Sequence, residues 1–332
     1  MSASHTAPRD AAGANRLDAL RKHSVVVADT GDLESIRAYR PTDATTNPTL
    51  ILAASGGEQA QALIAAALGE AGRGAGSESQ QLDDAMTRLS VKFGQAILEL
   101  IPGRVSTEVD ARLSFDRDAS IERGRRIISL YEEAGIERER ILIKLAATWE
   151  GIEAARVLER EGIHCNMTLM FCLGQAIACA QAGATLISPF VGRIYDWYRQ
   201  HDKVEDYAPE QDPGVLSVQT IYTYLKKFGH DTEIMGASFR KSAQVLELAG
   251  CDLLTISPAL LEELQADTGE VTRRLDPEAA RRAEISAQEL DENTFRWQLN
   301  EDAMATEKLA EGIRRFAADA RKLEAQLAQQ QR

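Results

Sequence analysis

The sequence has few histidines and cysteines, the residues from which most zinc sites and all disulfide bonds are built. Its five histidines are scattered, without the H-x-H, H-x-x-H or H-E-x-x-H spacing of common metal sites. Its four cysteines include no C-x-x-C pair, and Cys172 and Cys179 recur at a helical period. We therefore predict buried free thiols rather than disulfides or a zinc site, and no metal.

Clusters of positive charge and long apolar runs are also missing. The net charge is −13 with no basic block, so we predict no nucleic-acid partner and no membrane partner. No apolar run approaches the roughly 18 residues of a membrane span. Residues 1–15 are polar and lack the apolar core of a signal peptide. We therefore expect a cytoplasmic protein in which local arginines hold any anionic substrate.

Short apolar segments alternate with helical ones along most of the chain, and this pattern predicts a single (β/α)8 TIM barrel over residues 17–332. Extra N- and C-terminal helices and a flexible tail, residues 1–16, complete the expected organisation. A doubly wound open sheet is the alternative, although no G-x-G-x-x-G follows the first strand. The predicted strands are residues 24–30, 44–47, 104–110, 141–146, 164–169, 185–190, 233–238 and 251–257.

For four segments outside the predicted strands, the sequence allows more specific predictions. Pro48 begins a predicted helix that runs to about residue 69, and a loop rich in glycine and serine follows at 71–81. Residues 191–217 are predicted to be the longest loop, and loops of this length usually carry function. The amphipathic C-terminal segment, 303–328, is expected to pack on the outside of the domain.

One lysine interrupts the apolar strand 141–146. A period of two places Leu142, Lys144 and Ala146 on one face of this strand, away from the covering helices. Burial disfavours the charged form of an amine, and a neutral amine is a nucleophile towards carbonyls. The alternative interpretation is a lysine that reaches solvent at the strand end or forms a structural ion pair.

Polar residues stand at or near the carboxyl ends of seven predicted strands, where barrel enzymes place their active sites. Any one of them could instead be a cap or a turn former. Together they indicate a lysine that forms a Schiff base with a ketone, with carboxylates to move protons. Arg193 and Arg240 would suit a phosphate, or form loop salt bridges. The seven residues are Asp29, Asn47, Glu108, Lys144, Thr168, Ser188 and Ser238.

Seven segments in order closely resemble the transaldolase family, from about Leu17 to the C-terminal helix. Because all seven occur in one chain, the resemblance is specific. The segments are VVADTGD at 26–32, DATTNP at 43–48, PGRVSTEVD at 102–110, ILIKLA at 141–146, NMTL at 166–169, LISPFVGR at 186–193 and MGASFR at 235–240.

The resemblance implies cofactor-free transfer of a dihydroxyacetone unit in the non-oxidative pentose phosphate pathway. The donor would be sedoheptulose 7-phosphate and the acceptor glyceraldehyde 3-phosphate, with erythrose 4-phosphate and fructose 6-phosphate as products. By motif position, Lys144 is the Schiff-base lysine and Asp29 the acid/base at the hydroxyl of the breaking bond. Glu108 and Thr168 would position and activate the water used at the imine. Many family members are homodimers, so a homodimer is a candidate assembly.

The resemblance also implies the remaining substrate contacts. The family includes fructose-6-phosphate aldolases, which are shorter, lack the long C-terminal region and have a tyrosine where Phe190 stands, so Phe190 favours transfer over free aldol cleavage. A sugar-phosphate-binding barrel without activity is a further alternative, which the presence of Lys144, Asp29 and Glu108 disfavours. The implied substrate-binding residues are Asn47, Asn166, Ser188 and Phe190, and the implied phosphate-binding residues are Arg193, Ser238 and Arg240.

Overall fold

The computed structural model describes residues 15–72 and 76–330, and its centre is a closed barrel of eight parallel strands in chain order. This arrangement confirms the predicted (β/α)8 barrel. Most of the predicted tail lies outside the described residues, while Asn15 and Arg16 at its end form the N-terminus of the first helix. The strands are β1 Val25–Asp29, β2 Asp43–Thr45, β3 Val105–Glu108, β4 Ile141–Ala146, β5 Cys165–Met170, β6 Leu186–Pro189, β7 Glu233–Gly236 and β8 Leu253–Ile256.

The described residues also form fifteen α-helices, which surround the barrel. Proline at the first helical position and an Asn, Asp, Ser or Thr cap mark many of their N-termini. The helices are α1 Arg16–Leu20, α2 Leu33–Tyr39, α3 Pro48–Ala54, α4 Glu58–Ala71, α5 Glu78–Leu98, α6 Arg117–Glu133, α7 Trp149–Arg160, α8 Leu173–Gln181, α9 Val191–Asp202, α10 Pro213–Lys227, α11 Ser242–Glu247, α12 Pro258–Ala266, α13 Pro277–Arg281, α14 Glu292–Glu301 and α15 Ala303–Gln330.

The alternation of side chains along the strands separates the barrel interior from the layer beneath the helices. In β4, Ile141, Ile143 and Leu145 belong to the main core that the helices cover, whereas Leu142 points inward. Lys144 has the same parity as Leu142, as its position in the strand predicts. Leu142 packs in an inward apolar cluster with Val27, Leu186, Met235 and Leu253.

Two predictions about the first helical region need correction. The single helix expected over 48–69 is two helices, because Gly56 and Gly57 follow α3 and the second glycine is the N-cap of α4. Consecutive glycines are poor helix formers, so the chain turns there. The loop expected at 71–81 is shorter than predicted, because Ser77 and Gln80 form a capping box that starts α5 at Glu78.

The prediction of a long loop at 191–217 is wrong. Most of this segment is helical, with α9 and the start of α10 separated by a turn that includes Pro209–Gln211. In α9 the apolar side chains Val191, Ile194 and Tyr195 recur at helical spacing and are buried, which explains why the segment folds as a helix.

The prediction that the C-terminal helix α15 packs on the outside of the domain is wrong. The helix lies across the carboxyl end of the barrel. Its residues Leu309, Ile313 and Phe316 belong to one apolar cluster with Leu169, near the carboxyl end of β5, and Phe190, just after β6. The helix therefore covers the end of the barrel where the predicted site residues stand.

Several simpler features of the fold bear on the sequence-based expectations. All four cysteines are free, and Cys165, Cys179 and Cys251 are buried, which confirms the prediction of buried free thiols for these three. None of the described helices is both long and apolar enough to cross a membrane. In the described part of the chain, no group of three or more His, Cys, Asp or Glu side chains is placed to hold a metal ion.

Candidate active site

Lys144 lies inside the barrel near its carboxyl end and is 4% exposed. Its Nζ is 3.1 Å from Glu108 Oε2 and donates a hydrogen bond to the Thr46 carbonyl oxygen at 3.1 Å. The register of the sheet produces this contact, because Glu108 of β3 pairs with Lys144 of β4. The lysine therefore does not reach solvent. It forms a buried ion pair within reach of the barrel mouth.

Asp29 lies at the end of β1 and supplies a second carboxylate. Thr45 donates a hydrogen bond from Oγ1 to Asp29 Oδ1 at 3.3 Å, and the Thr45 hydroxyl is also 3.3 Å from that of Thr255. Burial raises the pKa of Asp29 above its ordinary value, and the nearby positive charge of Lys144 opposes this rise. Asp29 is therefore a carboxyl group suited to both accept and donate a proton.

Burial also raises the pKa of Glu108, again against the opposing charge of Lys144. The two carboxyl groups nevertheless have different surroundings. Asp29 receives a hydrogen bond from a threonine, whereas Glu108 forms the ion pair with Lys144. Different surroundings allow two carboxyl groups to hold different protonation states at one pH.

A short hydrogen-bonded chain connects β6, β5 and β3 beside the lysine. Ser188 Oγ donates to Asn166 Oδ1 at 2.6 Å, and Asn166 Nδ2 donates to Ser106 Oγ at 2.9 Å. Because Asn166 pairs with Lys144 in the sheet, these polar groups stand next to the amine. Within the described residues, the buried Thr168 Oγ1 has no hydrogen-bond partner. The wall of the site therefore offers several hydroxyl and amide groups to a polar ligand.

Arg193, in the first turn of α9, brings a half-buried guanidinium to the same region. Its Cζ lies 4.8 Å from the centre of the Phe190 ring and 5.5 Å from that of Phe316. Burial, together with the positive charges of Arg315 and Arg240, lowers the pKa of Arg193 to about 10. Its Nη1 is buried without a hydrogen-bond partner in the described chain. Such a guanidinium is suited to bind an anionic group.

Ser238 and Arg240 belong to the segment after β7, and they lie beside Arg193 of α9. Ser238 has a left-handed backbone conformation, with φ 60°, which is uncommon for a residue other than glycine. Arg240 Nη1 donates to Ser238 Oγ at 3.3 Å, while its Nε and Nη2 donate to Asp196 Oδ2 at 3.0 and 2.8 Å. The salt-bridge alternative considered for this arginine is thus observed, and Asp196 holds the guanidinium next to the serine.

A cavity of about 60 Å³ joins most of these groups at the carboxyl end of the barrel. We call it the substrate cavity. Eight of the eleven predicted site residues line it. The other three, Glu108, Asn166 and Arg240, contact the lining residues Lys144, Ser188 and Ser238. The lining consists of Asp29, Thr45, Asn47, Lys144, Thr168, Ser188, Phe190, Arg193, Met235, Ala237, Ser238, Thr255 and Phe316.

Sequence reasoning missed several contributors to this cavity. Thr45 stands in the DATTNP segment two residues before Asn47, so its inward parity was a usable signal. Asn47 itself has two roles, because its side chain also accepts a hydrogen bond from the Leu50 backbone and caps α3. Phe316 comes from the C-terminal helix, and no local pattern in the sequence connects that helix with the barrel mouth.

Comparison with known proteins shows which family the chain belongs to. A family model described as transaldolase/fructose-6-phosphate aldolase matches residues 26–327. The chain belongs to this family. The match includes all the predicted site residues and confirms the family resemblance found in the sequence.

Individual relatives in the family are similar over nearly their whole length. A transaldolase of Protochlamydia amoebophila (strain UWE25) is 57% identical over 94% of this chain and 97% of its own length. A transaldolase of Sus scrofa is 56% identical over 94% of this chain and 93% of its own. A probable transaldolase of Drosophila melanogaster is 56% identical over 93% of each chain.

Proposed function

We propose that this protein is a transaldolase that transfers a dihydroxyacetone unit between sugar phosphates through a Schiff base on Lys144. The predicted transferase class and transaldolase function agree with the names of relatives that share more than half of its residues. The observation that carries the residue-level proposal is the buried amine of Lys144, which has Glu108 at 3.1 Å and shares the substrate cavity with Asp29 and Arg193.

In the first step, Lys144 Nζ attacks the ketone carbon of a donor such as sedoheptulose 7-phosphate or fructose 6-phosphate. Glu108 takes the proton of the amine and returns one to the carbinolamine hydroxyl, which leaves as water. The resulting iminium withdraws electrons from the adjacent C–C bond. Asp29 then accepts the proton of the hydroxyl next to that bond, the bond breaks, and an aldose phosphate leaves.

The remaining three-carbon unit stays on Lys144 as an enamine until an aldose phosphate arrives. Glyceraldehyde 3-phosphate and erythrose 4-phosphate are the proposed acceptors. The enamine carbon attacks the aldehyde while Asp29 returns its proton to the new hydroxyl. Water then adds to the imine, with Glu108 as base and Thr168 as a hydrogen-bonding neighbour, and the product ketose is released. Asn47, Asn166 and Ser188 are proposed to hold the hydroxyl groups of the three-carbon unit.

The phosphate of each substrate is proposed to bind Arg193, Ser238 and Arg240. Support comes from the unpartnered buried guanidinium nitrogen of Arg193 and from the contact of Arg240 with Ser238. Phe190 and Phe316 supply an apolar wall without a hydroxyl that could protonate the enamine. This wall favours retention of the three-carbon unit over its release as free dihydroxyacetone.

The experiment is a coupled assay with fructose 6-phosphate, with and without erythrose 4-phosphate. We expect rapid formation of glyceraldehyde 3-phosphate with the acceptor, and release of free dihydroxyacetone at least tenfold slower without it. Equally fast cleavage without acceptor would instead indicate an aldolase. The cytoplasmic location, the homodimer, the lack of nucleic-acid and membrane partners, and the division into a tail and one barrel domain stay predictions.

A further inference from the structure

The two residues of the Lys144–Glu108 ion pair line two different cavities. Lys144 lines the substrate cavity, whereas Glu108 lines a second cavity of about 30 Å³, which we call the rear cavity. The wall of the rear cavity comes from β3, the segment after it, and helices α3, α5, α6 and α15. Its lining residues are Pro48, Met86, Thr87, Ser90, Glu108, Asp110, Arg123, Ile127 and Ala320.

The rear cavity is adjacent to a larger cleft at the protein surface. Asp110 and Arg123 line both spaces, and the cleft has a volume of about 500 Å³. The cleft also includes the exposed residues Ser79 and Asp83. Asp110 and Arg123 therefore stand between the surface cleft and the cavity that Glu108 lines.

The proposed Schiff-base reaction must move one water molecule in each direction during a turnover. The carbinolamine accepts a proton from Glu108 and loses water, which leaves an iminium and a Glu108 carboxylate. In the reverse step, water adds to the iminium carbon and gives its proton to Glu108. Resting on this proposed function, we propose that the water reaches and leaves the imine through the rear cavity, with Ser90, Asp110 and Arg123 as residues that position it.

The sizes of the two cavities support this route. The substrate cavity, at about 60 Å³, holds only a few water molecules, so a bound ketose phosphate leaves little room there for the water that its imine releases. Phe190 and Phe316 also make part of its wall apolar. The rear cavity exceeds the roughly 10–15 Å³ that a buried water requires, and it begins at the carboxyl group that exchanges the proton.

The polar groups of the rear cavity give a water molecule the partners it requires, which number two to four in most buried sites. Glu108 and Asp110 supply carboxylate oxygens, and Ser90 supplies a hydroxyl that donates to the Met86 carbonyl at 3.2 Å and can still accept. Arg123 is fixed at the boundary with the cleft, because it donates to Thr87 Oγ1 at 3.1 Å and to Asp83 Oδ2 at 2.7 Å.

The test fills the rear cavity from two different helices. Ser90→Leu adds bulk from α5 and Ala320→Val adds it from α15, so a failure of one variant to fold leaves the other informative. Ser129→Leu, on α6 and outside both cavities, is the matched control; its Oγ contacts only Glu133, at 2.9 Å, among the hydrogen bonds of the described residues. The readout is the rate at which ¹⁸O from labelled water enters C2 of fructose 6-phosphate without an acceptor.

We expect both filling variants to lower this exchange rate at least tenfold, with the control unchanged. The amount of adduct trapped by borohydride at saturating fructose 6-phosphate should remain that of the wild type, because the lysine and the donor site are intact. Wild-type exchange rates in folded Ser90→Leu or Ala320→Val would overturn the route. A wild-type protein that forms no adduct and exchanges no oxygen would overturn the proposed function itself, and the route with it.

Discussion

Three ionisable residues at the mouth of this barrel stand out because their side chains are buried. Lys144, Asp29 and Glu108 are held together where water has little access, and burial raises the pKa of both carboxyl groups. Charged groups in such surroundings are costly unless they are paired. Their close arrangement is therefore better explained by proton transfer at the amine than by stability of the fold.

The raised carboxyl pKa values predict how activity depends on pH. Asp29 must be a carboxylate to accept the hydroxyl proton, and this form is lost as the pH falls through its raised pKa. We therefore expect kcat/KM to decline on the acidic side at a pH above 3.8, the ordinary value for an aspartate. A rate profile measured on folded protein from pH 4 to pH 9 tests this. A rate that shows no decline down to pH 4 would contradict the assignment.

The sequence predicted most of the polar residues of the substrate cavity because each stands at or near a strand end in a recognisable segment. Lys144 in the run ILIKLA could by itself have been a structural lysine, and the polar residues at the other strand ends made a nucleophile the favoured interpretation. Thr45 and Thr255 were missed because threonine is a common strand residue, and only the closed barrel places their hydroxyl groups 3.3 Å apart.

At the scale of elements, α9 and the segment after β7 form the proposed phosphate site through very close contact. Gly192 donates its backbone N–H to the Ser238 carbonyl at 2.8 Å. A Cβ at Gly192 would lie 2.1 Å from that carbonyl oxygen and 2.9 Å from Arg240 Nη1. Only glycine allows these two segments to approach this closely.

We therefore predict that Gly192→Ala separates Arg193 from Ser238 and Arg240. The backbone oxygen cannot move aside as a flexible side chain can, so we expect about 1–3 kcal/mol of lost stability. We also expect KM for fructose 6-phosphate to rise at least tenfold, equivalent to about 1.4 kcal/mol of binding free energy. Steady-state kinetics and thermal unfolding measure the two effects.

Gly56→Ala is the matched control, because a Cβ there would meet nothing within 4 Å. It should leave both KM and thermal stability near the wild-type values. An unchanged KM in folded Gly192→Ala would show that the close approach of α9 and the β7 segment has no part in phosphate binding.

The elements also show where local sequence patterns stop being informative. Residues 191–217 were predicted as a loop, although Val191, Ile194 and Tyr195 of α9 have helical spacing. The amphipathic pattern of α15 was visible, but the surface that its apolar face covers depends on tertiary packing. Apolar residues at a helical period indicate that one face of a helix is buried, but they do not indicate which part of the protein covers that face.

At the scale of the whole molecule, the barrel and the net charge have separate consequences. Eight strands in chain order could be predicted because each apolar run is short and bounded by helical segments. The net charge of −13 offers no general attraction for phosphorylated sugars. The proposed recognition of a phosphate therefore depends on local cations at the substrate cavity, where Arg193 Nη1 is buried without a hydrogen-bond partner in the described chain.

The central claim is that Lys144 forms a covalent imine with a ketose phosphate. The most direct measurement adds borohydride to the protein with fructose 6-phosphate and locates the reduced adduct by peptide mass spectrometry. We predict one adduct, on Lys144, which is lost in folded Lys144→Ala together with turnover. The adduct should persist in Lys22→Ala, which removes an exposed lysine far from Lys144 in the sequence. An adduct on another residue, or retained turnover in Lys144→Ala, would contradict the account.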